Sequence, residues 1–200
     1  MVTPHTWLSR VDRLDCPDQL IFDLDPPRGD LDAVRTAARA LREILEEVGL
    51  VAFVKSTGSR GLHVVSPLDR SANFDAVRGF ARDVAEVVAA RDPARLTTEQ
   101  RKEKRRGRLY LDTARNAYAQ TAVAPYAVRA RPGAPVAVPL TWDEVGRKDF
   151  HPERYTVENV FRRLSRKGDP WADIGRRARS LSQPRGRLDE LLANEKTETQ

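Results

Sequence analysis

Three short stretches hold side chains whose types and spacing could do chemistry. The first is Asp23-Leu24-Asp25, which closes the apolar run Leu20-Ile21-Phe22. Residues two apart in a strand point to the same face, so both carboxylates converge on one spot. Two anions side by side repel unless a cation lies between them, and hard carboxylate oxygens suit Mg²⁺ or Mn²⁺. A pair of solvated acids at an exposed strand end has the same spelling, so Asp23 and Asp25 alone leave both readings open.

The second stretch is Ser56-Thr57-Gly58-Ser59-Arg60-Gly61-Leu62-His63. Gly58 and Gly61 let the backbone turn tightly and present N–H groups to an anion. Ser56, Thr57 and Ser59 add hydroxyl donors, Arg60 adds charge, and His63 stands at the start of the next strand. Such a set can cradle a triphosphate, although no G-K-[ST] follows and the loop is not a P-loop. A long polar hairpin loop is the other reading. The third stretch is Arg101–Asn116, in which six of the eight residues from Arg101 to Arg108 are basic. Its centre, Lys104, Arg105 and Arg106, is expected to touch nucleic-acid phosphates without reading bases; a solvated face is the alternative. The apolar strand that follows ends in Asp112. Two-metal nucleotidyl transfer needs clustered carboxylates that hold ions about 3.5–4 Å apart, and Asp23, Asp25 and Asp112 would supply three. Spacing alone does not bring them together.

The elements that must position these residues follow from periodicity. Gln19–Asp25 reads as a strand stopped by Pro26-Pro27. Asp30 can cap a helix whose apolar residues Leu31, Val34, Ala38, Leu41, Leu45 and Val48 recur every three or four positions, with Gly49 at its end. Val51–Val54 and Leu62–Val65 are expected strands on either side of the polar loop. A second helix, capped near Asn73, carries Phe74, Val77, Phe80, Val84 and Val88. Arg108–Asp112 and Gln120–Ala124 are further strands. Pro132, Pro135 and Pro139 mark an extended stretch, and Val157–Leu164 a last helix. The last helix is expected to precede a basic tail that includes Trp171; the core is assigned to residues 1–175 and the basic tail proper to 176–200, frayed from Lys196 on. Several links are too short for parallel crossovers, so the expected fold is α+β, a mixed or antiparallel sheet flanked by helices.

Composition narrows the function classes. Apolar residues make up 40 %, which suits a folded domain rather than global disorder. The 35 Lys and Arg against 29 Asp and Glu leave a net charge of +6, so a polyanion is the first partner to consider; free use of arginine on solvated faces is the other source of that excess. Cys16 is the only cysteine, which leaves no internal disulfide and no zinc-type spacing. The N-terminal residues hold no long apolar run, so no signal peptide or membrane anchor is expected and the expected location is cytoplasmic.

The order of these segments resembles the archaeo-eukaryotic primase superfamily, and most closely the polymerase domain of bacterial DNA ligase D. The resembling text is HTWLSRVDRLDCPDQLIFDLDPP, STGSRGLHVVSPL, RRGRLYLDTARNAYAQTAVAPYAVRARPGAPVAVPLTWDEV and GDPWADI, from about His5 to Ile174. The resemblance implies a primase-like catalytic core. It implies Asp23, Asp25 and Asp112 as carboxylates for Mg²⁺ or Mn²⁺, and Thr57, Gly58, Ser59, Arg60, Gly61 and His63 around an incoming triphosphate. Arg115 and Arg129 or Arg131 would hold nucleotide phosphates, and His5 would stand near the template or sugar. Two positions depart from the family: Thr57 replaces the usual Ser and Arg60 the usual Lys, and Arg is not a neutral swap at a tight phosphate site.

The implied activity is addition of nucleotides, including ribonucleotides, to DNA ends during bacterial non-homologous end joining. The implied partners are DNA ends, NTP or dNTP, a Ku-like protein and an ATP-dependent DNA ligase. Family members carry a segment ahead of the HxW stretch that helps grip a downstream 5′-phosphate. This sequence starts almost at HTW, so the expectation is a bare apolar surface that favours association and a weak grip on that phosphate. A non-catalytic DNA-end-binding module of the same family is the alternative function. A phosphodiesterase using the same acids is a third, and the phosphate loop counts against it.

Overall fold

The computed structural model describes residues 2–25 and 30–198; the expected strand stop at Pro26-Pro27 lies outside them. The central strand is β4 (Gln19–Asp25), formed over the expected residues. Its neighbours are β6 (Leu62–Pro67) on one side and β8 (Leu109–Asp112) on the other. Beyond β6 lie β5 (Phe53–Ser56) and then β10 (Pro139–Leu140), whose proline suits an edge strand; beyond β8 lies β7 (Leu96–Thr97). Every adjacent pair in this six-stranded sheet is antiparallel except β7 with β8. Two ribbons complete the strands: β1 (His5–Trp7) with β9 (Thr121–Val123), and β2 (Ser9–Arg10) with β3 (Arg13–Pro17).

Alternation gives the sheet two different faces. Leu20, Phe22 and Leu24 of β4, Val54 of β5, Leu62 and Val64 of β6, and Leu109 and Leu111 of β8 are buried in one large core. Helices α1 (Leu31–Glu47) and α2 (Phe74–Arg91) cover that face with the apolar stripes that their sequences foretell. Asp30 caps α1 by accepting from the Ala33 amide at 3.0 Å, and Asn73 caps α2 by accepting from Ala76 at 2.9 Å. On the other face Ile21 and Val65 join Leu8, Phe74, Ala122 and Trp171 in a second, smaller core. Phe53 packs against that core, and further along the same face Asp23, Asp25, Lys55, His63, Tyr110 and Asp112 are polar.

Some expected bounds move. β5 begins at Phe53, not Val51, because the Leu50 amide still bonds back to Leu45 O at 2.8 Å and pairing with β6 starts only beyond it. The last expected helix, α4, spans Val160–Lys167, since Asn159 holds the Thr156 amide through its side chain and Val157 stays exposed. A five-residue helix, α3 (Trp142–Gly146), follows β10 and starts with a Thr141–Glu144 capping box. Trp171, expected in the basic tail, is instead packed into the fold, 7 % exposed and edge-on to Phe53 with centroids 6.2 Å apart. The stretch expected as a tail contains α5 (Ser182–Glu198), which docks on α2 through buried Leu188 and the Arg185–Asp83 pair at 2.6 Å. Lys196–Glu198, expected to fray, continue that helix, and residues 199–200 lie outside the described residues. Exposed apolar side chains near the N-terminus include Val2, Trp7, Val11 and Leu14. Among the described residues no helix is long and apolar enough to cross a membrane.

Candidate active site

Strand register assembles the polar face. Lys55 faces His63, His63 faces Asp23, and Asp23 faces Asp112, so four strands contribute one side chain each to a single cross-strand row. Residues opposite each other in antiparallel strands share a face. Asp25, two positions along β4, is on that face too and stands opposite Tyr110. The three expected carboxylates therefore belong to one face of the sheet.

Their surroundings differ. Asp23 is buried, with Oδ1 3.4 Å from His63 Nε2 and Oδ2 3.3 Å from Arg115 Nε. Burial pushes its carboxyl up, but the hydrogen bond and charge of His63 and the guanidinium of Arg115 outweigh this and hold it at about 2. Burial, helped by the charge of Lys55, pushes the His63 ring down to about 4. At neutral pH the ring is uncharged, so Arg115 is the charge partner of Asp23 and His63 a neutral hydrogen-bond partner. Burial and then the Asp23 charge raise Asp25; burial also raises Asp112, with Asp23 adding to it against the Ala114 amide at 2.8 Å. The three acids thus resist being ionised together. That is the electrostatics of a group that a hard cation would relieve. Among the described residues, though, no group of three or more His, Cys, Asp and Glu side chains is arranged to hold a metal ion.

The Ser56–Gly61 loop meets the acids at a cavity of about 260 Å³. Thr57 closes the loop on itself: its hydroxyl donates to Gly61 O at 3.1 Å and accepts from the Gly61 amide at 3.3 Å. The Thr57 departure therefore keeps a structural bond that Ser could also make. Gly58 has φ +61°, and a Cβ there would lie 2.9 Å from backbone atoms of Val136 and Ala137, so only glycine fits without displacing that segment. Ser56 Oγ accepts from the Val138 amide at 3.0 Å and ties the loop root to the same segment. Asp23, Asp25, Thr57, Ser59, Arg60 and His63 line the cavity, and His5, Arg115 and Arg129 complete its polar wall.

Nine of the residues expected from sequence thus meet at one cavity. Others do not. Asp112 is on the Asp23 row but outside the cavity lining. Of the two arginines left open, Arg129 lines the cavity, whereas Arg131 bonds Ser59 Oγ and pairs with Glu153 at 3.3 Å. In the basic run Lys104 and Arg106 are exposed, but Arg105 is committed: it lies over the Tyr110 ring at 4.1 Å and donates to the carbonyls of Glu99 and Gln100.

Two residues escaped the sequence reading. Lys55 is 2 % exposed and donates to Val123 O at 2.8 Å, linking the β1–β9 ribbon, which carries His5, to the main sheet. Burial pushes its ammonium down to about 7, with Asp23 pulling the other way. A lysine in an apolar strand carried a usable signal, because such a residue is seldom fully buried without a partner. Asn116 is fully buried and brackets Ile21, accepting from its amide at 2.9 Å and donating to its carbonyl at 2.7 Å. It continues the ladder of β4 where β8 has ended and so holds the neighbouring Arg115 beside Asp23. Nothing local in TARN distinguished it.

Known proteins resemble this arrangement over most of the chain. The LigD primase-polymerase domain family matches residues 1–171. The multifunctional non-homologous end joining protein LigD of Pseudomonas aeruginosa is 33 % identical over 172 residues, 84 % of this chain and 20 % of that protein. The corresponding Mycobacterium tuberculosis DNA repair protein is 36 % identical over 152 residues, 76 % of this chain and 20 % of that protein. The chain therefore spans about a fifth of the length of these relatives. A solved structure of the polymerase domain of M. tuberculosis ligase D in complex with DNA superposes with a TM-score of 0.76 at 32 % identity, covering 82 % of this chain and 56 % of that one.

Proposed function

The chain belongs to the LigD primase-polymerase domain family, and from that membership and the site geometry we propose that it is a primase-like nucleotidyltransferase. In this reading it adds nucleotides, ribonucleotides among them, to DNA ends during bacterial non-homologous end joining. The observation that carries the reading is the convergence of an acidic sheet face and a glycine-bearing hydroxyl loop on one cavity also lined by Arg60, Arg115 and Arg129.

Asp23, Asp25 and Asp112 are the residues that would hold Mg²⁺ or Mn²⁺, and their donor chemistry fits: three hard-oxygen groups on one face whose mutual repulsion a cation would lower. Such ions, when bound, neutralise phosphate charge and orient the attacking and leaving oxygens. The protein's own groups do the rest by position and charge. Arg60 and Arg129 approach the cavity from the loop side and from the 129–138 segment, suited to the charge of a triphosphate. Loop amides held by the Thr57–Gly61 bonds offer preorganised donors that need no rearrangement when charge develops. His63, neutral and buried, orients Asp23, and His5 borders the side open to a sugar or template base. Lys104 and Arg106 supply sequence-independent phosphate contacts for DNA. A Ku-like protein and an ATP-dependent ligase are the proposed partners.

The test is nucleotide incorporation at a primed DNA end with Mn²⁺, comparing the parent with Asp23→Asn and Asp112→Asn. Template-dependent extension that both substitutions abolish supports the reading. DNA-end binding without extension under any metal would make the chain a binding module of the same family.

A further inference from the structure

Helices α3 and α4 and the segment between them close a second pocket of about 250 Å³ that shares no lining residue with the carboxylate cavity. Its wall holds Arg147, Arg154, Arg162, Arg163, Arg166 and Lys167, and no aspartate or glutamate lines it. Two acids neutralise part of this charge. Glu144 takes Arg163 through Nη2 at 2.7 Å and Lys167 at 3.3 Å, and Asp149 takes Arg147 at 3.2 Å and Arg154 at 2.6 Å. Four of the six cations thus share two carboxylates. Arg162 and Arg166 have no ion-pair partner among the described residues. Arg163, 6 % exposed, keeps Nη1 without a hydrogen-bond partner.

The arrangement is poor for stability and good for capturing an anion. Arg162 and Arg166, and likewise Arg163 and Lys167, are like charges one helical turn apart on α4, and such pairs repel. Guanidinium forks match the oxygens of a phosphate in paired hydrogen bonds, and a buried Arg163 held by Glu144 is fixed before any ligand arrives. Every charged group on the pocket wall is a cation, and a compact anion such as a phosphoryl group matches that lining.

We propose that this pocket is a second anion site, which takes a single phosphoryl group independently of the nucleotide cavity. Arg147 also borders an adjoining cleft whose wall holds Arg39, Arg42 and Asp143 beside Trp142, so cations still outnumber acids past the pocket. That continuation favours a phosphate of a nucleic-acid backbone as the source; a free phosphate or a small phosphorylated molecule offers the same chemistry.

The test compares the parent, Arg60→Ala and the double variant Arg162→Gln/Arg166→Gln. The doubly substituted side chains are exposed, have no ion-pair partner and repel each other, so the melting temperature should be no lower than the parent's. Calorimetric titration with inorganic pyrophosphate, which the nucleotide cavity also suits, should show one component of binding that the double variant loses and Arg60→Ala retains. Fluorescence anisotropy with a short duplex across a salt series identifies the source. A roughly tenfold loss of DNA affinity at low salt, with the salt slope lower by about 1–2, assigns a backbone phosphate. Unchanged DNA affinity together with lost pyrophosphate binding assigns a free phosphate. Pyrophosphate binding that is the same in the double variant and the parent, whatever happens to DNA, overturns the proposal. The Arg60→Ala arm reports on the other cavity, so failure there does not mimic failure here.

Discussion

Gly61→Ala separates the contact between loop and acids from the stability of the fold. Gly61 has an ordinary, not left-handed, φ, so alanine meets no intrinsic backbone penalty there. The obstacle is the neighbour. A Cβ at Gly61 would overlap the Leu24 carbonyl oxygen and lie 3.0 Å from both the Leu24 carbonyl carbon and Asp25 Oδ1. Leu24 joins the two acids of β4, so any relief moves the loop against Asp23 and Asp25. Bringing the Cβ from 3.0 Å to the about 3.5–4.0 Å of ordinary carbon contact already separates β4 from the loop by roughly 0.5–1 Å, and clearing the nearer Leu24 carbonyl oxygen requires more. Overpacking of this kind costs about 1–3 kcal/mol of stability. A misplacement near 1 Å between reacting groups can cost about 10²-fold in rate. The expected outcome is a folded protein, weakened by that amount in urea denaturation, with Mn²⁺-dependent incorporation down about a hundredfold and triphosphate affinity reduced. Gly79→Ala is the control: nothing lies within 4 Å of its Cβ inside α2, so helix propensity should make it neutral or slightly stabilising with activity intact. Gly61→Ala with parental incorporation, triphosphate affinity and stability would refute the claim that this contact sets the site's geometry.

Arg163→Met leaves Glu144 buried with a lysine and a tyrosine hydroxyl in place of its bidentate partner, and should cost about 3–5 kcal/mol. Against burial, Arg163 and the Thr141 amide hold Glu144 at about 2, below its ordinary 4.5, so the pair's stabilisation is full above 4.5 and lost as pH falls toward 2. Urea midpoints of parent and variant should therefore converge in acid; a constant gap would refute this. Arg60→Ala should weaken triphosphate binding more than DNA binding, because DNA spreads its charge over many contacts. Equal losses in the two titrations would mark Arg60 as general surface charge. Charge reversal at Lys104 and Arg106 should lower DNA affinity steeply at low salt with little dependence on sequence, whereas adding reversal at Arg105 should also destabilise the fold, since that side chain holds two carbonyls. DNA affinity unchanged at low salt would remove the role from this run. Lys55→Met leaves Val123 O without its donor and should speed hydrogen exchange across His5–Trp7 and Thr121–Val123 more than elsewhere; uniform protection would show that the ribbon is held without it.

Local pattern was enough for whatever depends on neighbours along the chain. The period-two reading of Gln19–Asp25 places Asp23 and Asp25 on one face and Phe22 and Leu24 on the other, because successive side chains in any strand alternate. The caps at Asp30 and Asn73 and the stripes of both long helices follow in the same way, since a cap reaches only two or three residues on. The carboxylate set, the loop and the basic run were legible as residue types, and their order as a family resemblance. Only the tertiary structure decided which of them meet. Asp112 faces Asp23 because β8 pairs with β4 in one register, and a slip of one residue would have turned it into the helix-covered core. Arg129 lines the cavity itself, whereas the 131 guanidinium is taken up by Glu153 and by Ser59, itself a lining residue. Trp171 and α5 read as a tail because their apolar residues are sparse and find partners only across the fold, on Phe53 and on α2. Lys55 and Asn116 looked ordinary for the same reason: their partners, Val123 and Ile21, lie 68 and 95 residues away, beyond the reach of any local pattern.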